Sequence, residues 1–445
     1  MSETSQLSLE GMHGTVKVPP SGAGFWRHWR AFVGPAVLVS VGYMDPGNWG
    51  TDLQAGAQFQ YHLLWVVALA SFMAVILQIA AARLGIATGK DLAQMCRERY
   101  PRWTRWPNWL FSELAIAACD LAEVLGSAVA LNLLFHIPLL WAVLITGVDV
   151  LLLLMLQRFG VRTIEAVVFL LAATIGVCYF IEIFILPTTH PDFGAMVHAL
   201  AHPSLAGAGM AYLAIGIIGA TVMPHNLYLH SALVQSRKVE RTESGLRRAL
   251  RYNVLDSVVA LSLAFLINAA ILVLAAMVFY GRPGYAPDTD WIRVAFFTLA
   301  PLLGAGAAGI LFAIALLASG QSSTITGTLA GQVVMEGFLH WHIAPWLRRL
   351  ITRLAAIIPA VLFIGLRGDA SVTDLLTLSQ VVLALQLPFA MVPLLHFTTS
   401  RRHLGAWKSG WAMSTLGWSC AALIIAADLY ALPSSLAIAW HVLAG

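Results

Sequence analysis

Long apolar stretches joined by short polar connections occupy nearly the whole of this chain. Most run to about 20 residues or more, the helix length that crosses a hydrocarbon core about 30 Å thick. The pattern predicts eleven spans, near 31–58, 63–86, 110–135, 138–157, 163–186, 208–235, 253–279, 301–331, 350–366, 373–397 and 411–432. Strands of a membrane barrel would instead alternate over segments of about ten residues. The chain lacks that pattern. Residues 1–25 are polar and contain Gly, Ser and Pro, as a mobile cytoplasmic tail would. The longest external connections fall at 187–207 and 280–300, with a short helix expected after Pro287.

Composition and charge narrow the class. Of 445 residues, 59% are hydrophobic and 11% charged, against about 25% charged in a soluble domain. That excludes a cytosolic enzyme, a disordered regulator and a nucleic-acid binder. Cys96, Cys119, Cys178 and Cys420 show neither metal-ligand spacing nor a disulfide framework. No cleaved signal peptide is evident in the first 30 residues. With the N-terminus inside, 23 of the 26 Lys and Arg fall in inner segments, the exceptions being Arg282, Arg293 and Arg367. The positive-inside bias then predicts a multi-pass inner-membrane protein with its N-terminus cytoplasmic and its C-terminus outside.

Spans one and six carry matched interruptions. One holds Asp45-Pro46-Gly47-Asn48 and the other Met223-Pro224-His225-Asn226. They occupy corresponding positions in two five-helix halves, and such paired breaks mark the central site of a transporter. Pro46 and Pro224 lack an N–H, so the carbonyls of Gly42 and Ala220 lose their helical partners. Backbone oxygens freed at membrane depth need protein, a polar cavity or an ion to satisfy them. Asp45 adds a hard anionic oxygen, Asn48 a neutral one and Met223 a soft thioether. An intramembrane Asp costs roughly 2.5–3.5 kcal/mol on insertion scales, which makes function the default reading. Thioether sulfur suits softer metals than Mg²⁺ or Ca²⁺, so the mixture points to Mn²⁺ or Fe²⁺. A proline that merely kinks and a methionine that merely fills are the rival readings of each residue alone; the matched pair outweighs them.

At these residues the sequence resembles the Nramp family (natural resistance-associated macrophage proteins), which are divalent metal transporters. The resemblance includes both breaks and the stretch from Gly320-Gln321-Ser322-Ser323-Thr324 through Gly327, Gly331-Gln332 and Met335-Glu336-Gly337-Phe338. It implies an all-α integral membrane protein of the LeuT-like fold, with eleven transmembrane helices, two inverted five-helix repeats and helices one and six broken at mid-membrane. The repeats would span 26–190 and 206–398, with helix eleven and a periplasmic end at 410–445. It also implies proton-coupled import of Mn²⁺ or Fe²⁺ by alternating access. The implied ligands are Asp45, Asn48, Met223 and the Ala220 carbonyl, joined in some states by the Gly42 carbonyl and Gln380. Members that move Mg²⁺ depart at the methionine, which this chain retains as Met223.

Glu113, Asp120 and Glu123 lie along one side of span three and read as a proton route. The resemblance pairs Asp120 and Glu123 with cations at the start of helix nine, Arg353 first and then Arg349. A static buried ion pair is the competing reading. His225 sits in the break, where it either accepts a proton or tunes Asp45 by hydrogen bonding, and His230 lies further along the same span. Asn268 and Gln321 read as interhelical hydrogen-bonding groups. His190, His198 and His202 fall in an external connection and read as surface groups.

Gly304 to Gly309 fits GxGxxG but lies in an apolar span without a βαβ setting, and no phosphate loop is present. The expected partners are the cargo ion, protons and the bilayer, with no nucleic acid, no resident cofactor and function as a monomer. Rival readings are a LeuT-fold symporter of an amino acid or other organic solute, an Mg²⁺-moving relative, a membrane metalloenzyme and a channel. The organic symporter would favour small residues at the break rather than Asp45 with Met223. The enzyme would need more convergent ligands, and the channel rings of residues from several subunits.

Overall fold

The computed structural model describes residues 12–20, 22–148, 159–185, 190–205, 208–281, 292, 294, 308–341, 343, 345–367 and 372–444. Proline and glycine set many of its helix ends. A short helix α1 (Phe25–Phe32) stops before Gly34, and α2 (Pro35–Ser40) restarts with proline in its first turn. A tight turn at Val41–Met44 follows, then α3 (Pro46–Phe59), α4 (Leu64–Thr88), α5 (Leu92–Arg99), α6 (Arg105–Phe135) and α7 (Leu139–Ile145). The chain continues through α8 (Val161–Phe180), α9 (Phe193–Ala201), α10 (Ala208–Thr221) and α11 (Pro224–Leu233). Last come α12 (Glu243–Phe279), α13 (Ala308–Leu339), α14 (Pro345–Arg367), α15 (Val372–Thr399), α16 (Arg401–Leu404) and α17 (Trp411–Ala444).

Among the described residues nine helical stretches are long and apolar enough to cross a membrane, and Pro35–Met44 and Leu139–Val148 are shorter apolar helices. The most apolar part of the stretch 209–236, which contains the second break, is wholly buried; α8, α14 and α17 lie at the periphery. Their outward faces carry Phe169, Leu170, Leu362 and Leu429, as helices facing lipid do. Residues 149–158, most of 280–300 and 301–307 lie outside the described residues. With them go Arg158, Arg282, Arg293, the short helix expected after Pro287 and most of the Gly304–Gly309 motif.

Several boundaries differ from the pattern: the eighth span runs on to Leu339 rather than 331, and the ninth starts at Pro345 rather than 350. The seventh span begins at Glu243 rather than 253, because the Thr242 hydroxyl accepts the Gly245 N–H at 3.1 Å and caps an added polar stretch. The last helix runs past 432 to Ala444. The expected loose tail contains β1 (Val16–Lys17), which pairs in parallel with β2 (Arg237–Lys238) directly after the sixth span.

That basic end is knotted by buried polar contacts. Arg237 donates to Glu165 Oε1 at 2.6 Å, to the Val33 carbonyl at 2.7 Å and to the Ala31 carbonyl at 3.1 Å. Asp256 on α12 accepts the Ala36 N–H at 3.0 Å, satisfying one exposed donor at the start of α2. The first, fifth, sixth and seventh spans therefore meet at one polar cluster.

Candidate metal centre

Both breaks have the same local cause. The residue before a proline is pushed toward extended backbone, while proline itself fits the first turn of a helix, where its missing N–H costs nothing. Asp45 is accordingly extended (φ −69°, ψ 166°) between the Val41–Met44 turn and α3. Met223 is extended (φ −65°, ψ 123°) between α10 and α11. The two side chains singled out for cation chemistry thus sit at the two points where helix gives way. Asp45 also caps α3: its Oδ1 accepts the Asn48 N–H at 2.8 Å, leaving Oδ2 outside that cap.

Glycines admit neighbours to the first break. A Cβ on Gly47 would fall 1.8 Å from Gln380 Nε2, and one on Gly126 only 2.1 Å from Pro46 Cβ. Helix α15 therefore lays Gln380 on the backbone of the break, and α6 packs directly on its proline. Asn48 Oδ1, Gln380 Oε1 and Asn226 Oδ1 are buried without a hydrogen-bond partner among the described residues. Buried polar atoms are normally paired, so these three amide oxygens are available for a cation. Met223 Sδ accepts from Asn226 Nδ2 at 3.5 Å. Of the carbonyls at the first break, Tyr43 O is taken by Asn268 Nδ2 at 2.8 Å and Met44 O by the Ser319 hydroxyl. Gly42 faces Asn226, and Ala220 is fully buried beside the second break.

On α6 the acids divide into two groups. Asp120 receives Arg349 Nη1 at 2.7 Å, while Glu123 lies 3.7 Å from both Arg349 and Arg353. The expected order of cations is therefore reversed: Arg349 makes the close pair. Arg353, one turn further along α14, also donates to the Thr146 carbonyl at 3.2 and 3.3 Å. Glu123 accepts in addition from Ser323 at 2.8 Å and Thr324 at 2.9 Å on α13. Glu113 stands about 10 Å back along the helix axis and pairs with Arg348 at 2.8 Å instead.

His225 is buried, but no hydrogen bond joins it to Asp45, and its Nδ1 has no partner among the described residues. Direct tuning of Asp45 by this imidazole is absent from the geometry. His230 turns toward α4, where its Nδ1 meets Gln78 Oε1 at 2.8 Å; the Gln78 amide in turn donates to the Tyr43 hydroxyl. Among the described residues the Gln321 side chain makes no hydrogen bond.

Sequence reasoning missed Cys119. Its sulfur lies 4.0 Å from Asp45 Oδ2 and 3.5 Å from Glu123 Oε1, between the break and the acid pair. The available signal was its spacing, four residues before Glu123 on the same helical face. Gln78, a lone amide in an apolar span, was the other detectable signal.

Residues 36–434 match the family model described as natural resistance-associated macrophage protein-like. The chain belongs to the Nramp family. It is 50% identical over 433 residues to the divalent metal cation transporter MntH of Nostoc sp., covering 96% of each chain. It is 51% identical over 423 residues to MntH of Xanthomonas campestris pv. campestris, covering 95% and 94%. The fold superposes on the crystal structure of the Eremococcus coleocola manganese transporter with TM-score 0.88 at 41% identity, over 96% of this chain and 91% of that one. Mhp1, a nucleobase-cation-symport-1 family transporter, shares 15% identity and TM-score 0.58, a likeness of fold alone. This Nramp chain is thus a multi-pass membrane protein whose relatives are named as metal transporters.

Proposed function

We propose that this chain imports Mn²⁺ or Fe²⁺ together with protons by alternating access, with its N-terminus cytoplasmic and its C-terminus outside. In this reading eleven helices form two inverted repeats, 26–190 and 206–398, followed by the last helix. Asp45, Asn48, Met223 and the Ala220 carbonyl hold the ion, with Gln380 and the Gly42 carbonyl joining in some states. The observation that carries the reading is the donor set: one carboxylate, orphaned amide oxygens and a thioether, all withdrawn from solvent at two helix breaks. Hard and soft donors together favour Mn²⁺ or Fe²⁺ over Ca²⁺ and Mg²⁺, and an incomplete cage permits release.

The proton half rests on Asp120, Glu123 and their arginines, with Cys119 between them and Asp45. A divalent ion beside Asp45 favours its ionised form, so the ion's arrival expels or redirects a proton toward α6. Uptake of Mn²⁺, Cd²⁺, Ca²⁺ and Mg²⁺ into liposomes at two pH values, comparing the native chain with Met223→Ala, tests the scheme. Loss of discrimination against Ca²⁺ in the variant supports the thioether filter. Unchanged selectivity places the filter elsewhere.

A further inference from the structure

The end of the molecule opposite the basic connections holds a second group of side chains of metal-ligating type, outside both breaks. Helix α9 lies in the connection between the fifth and sixth spans, where Asp192 caps it by accepting the Ala195 N–H at 3.0 Å. His198 and His202 are four residues apart at its C-terminal end, with ring centroids 4.2 Å apart and planes inclined by 21°. Facing them is the turn that joins α3 to α4, with Gln60, Tyr61 and His62. The two segments border a half-open cavity of about 520 Å³ lined by all three imidazoles.

Backbone hydrogen bonds fix the state of two of these rings. His62 Nδ1 lies 2.8 Å from the Phe59 carbonyl, and His202 Nδ1 lies 3.0 Å from the His198 carbonyl. A carbonyl oxygen only accepts, so each Nδ1 carries the proton, and in the neutral ring each Nε2 keeps its lone pair. Metal-binding histidines are held this way, one ring nitrogen anchored and the other presented to the ion. His198 lies in the last turn of α9 and His202 is the residue that ends it, at the four-residue spacing found in zinc-binding helices.

We propose that this cavity is a regulatory site for late transition-metal ions, with His198 and His202 as ligands and His62 closing from the opposite wall. Imidazole donors follow the order that rises from Mn²⁺ through Ni²⁺ to Cu²⁺, with Zn²⁺ also strong. The site therefore discriminates against Mn²⁺, the reverse of a donor set built on carboxylate, amide and thioether. Among the described residues no three His, Cys, Asp or Glu side chains already converge into a cage, so water completes the coordination. An ion here joins α9 to the turn that ends α3, the second half of the broken first helix. It restrains the movement of that half-helix without competing for the cargo site.

Isothermal titration calorimetry with Zn²⁺, on the full chain carrying Asp45→Asn to weaken the central site, reads binding directly. One Zn²⁺ event is expected to persist, and His198→Ala/His202→Ala is expected to raise its Kd at least about tenfold. In liposomes, the otherwise native chain should show Zn²⁺ inhibition of Mn²⁺ uptake that saturating Mn²⁺ does not relieve. The double-histidine variant should lose that component and keep its uptake without Zn²⁺. Should the double variant fail to fold, His198→Gln carries the same expectation. Unaltered Zn²⁺ affinity in a folded histidine variant, or equal affinity for Mn²⁺ and Zn²⁺, overturns the proposal. The calorimetric arm stands even if the chain moves no Mn²⁺.

Discussion

Arg349 and Asp120 form a direct ion pair, Nη1 to Oδ1 at 2.7 Å, and neither side chain keeps more than 1% of its surface exposed. Removing one partner of such a pair strands the other charge, at a cost of about 3–5 kcal/mol. Arg349→Ala is therefore expected to lower the thermal unfolding midpoint in detergent more than Arg353→Ala, whose charge stands 3.7 Å from Glu123. Combining Arg349→Ala with Asp120→Asn should restore much of the loss, because no stranded charge remains. Equal losses for the two arginine variants would show that proximity to Asp120 does not govern stability here.

Asp120→Asn also separates the proposed proton route from the proposed metal site. Mn²⁺ binding should persist, since the substitution leaves both breaks intact, while the dependence of uptake on an imposed pH gradient should weaken. A pH-sensitive dye inside the liposomes and ⁵⁴Mn uptake measured together check both halves. Full proton-coupled uptake in the variant would remove α6 from the scheme.

Asp45→Asn tests the carboxylate at the break. Losing the charged partner of a desolvated ion costs at least about 2 kcal/mol, which is about thirtyfold in Kd. Mn²⁺ titration of purified protein is expected to show at least that weakening. A change of less than threefold would place the principal ligand elsewhere.

The close approach of α6 to the first break makes Gly126 intolerant of any side chain. Gly126→Ala puts a methyl 2.1 Å from Pro46 Cβ, and overpacking of this kind costs about 1–3 kcal/mol. A lower unfolding midpoint and slower Mn²⁺ uptake are expected. Gly47→Ala meets the end of a flexible side chain instead, so its defect should be partly relieved by Gln380→Ala. Absence of that relief would mean Gln380 does not press on the break.

Much of this was legible because helix length and proline act locally. Twenty apolar residues announce a span wherever they occur, and the x-Pro-x-Asn pairs announce the breaks without knowledge of any neighbour. The choice between Arg349 and Arg353 was not legible. They lie one turn apart on the same face, and only the axial offset of α14 against α6 decides which meets Asp120. Cys119 reads as another small apolar residue until the packing sets it beside Asp45. His230 lay on the correct helix, but its orientation toward Gln78 depends on how α11 packs against α4. The capped extension of α12 was hidden because its first turns are polar and lie outside the apolar window.

The contacts of Arg237 restrain the segment that leads into α2. One guanidinium holds two backbone oxygens of the segment leading into α2 and a carboxylate of α8 at once. Swinging that segment aside breaks contacts made by two guanidiniums, because Arg162 also donates to the Val33 carbonyl at 2.7 Å and the Ala31 carbonyl at 2.8 Å. Any displacement away from α8 has to break the bonds of both arginines, so the fastened position is the favoured one.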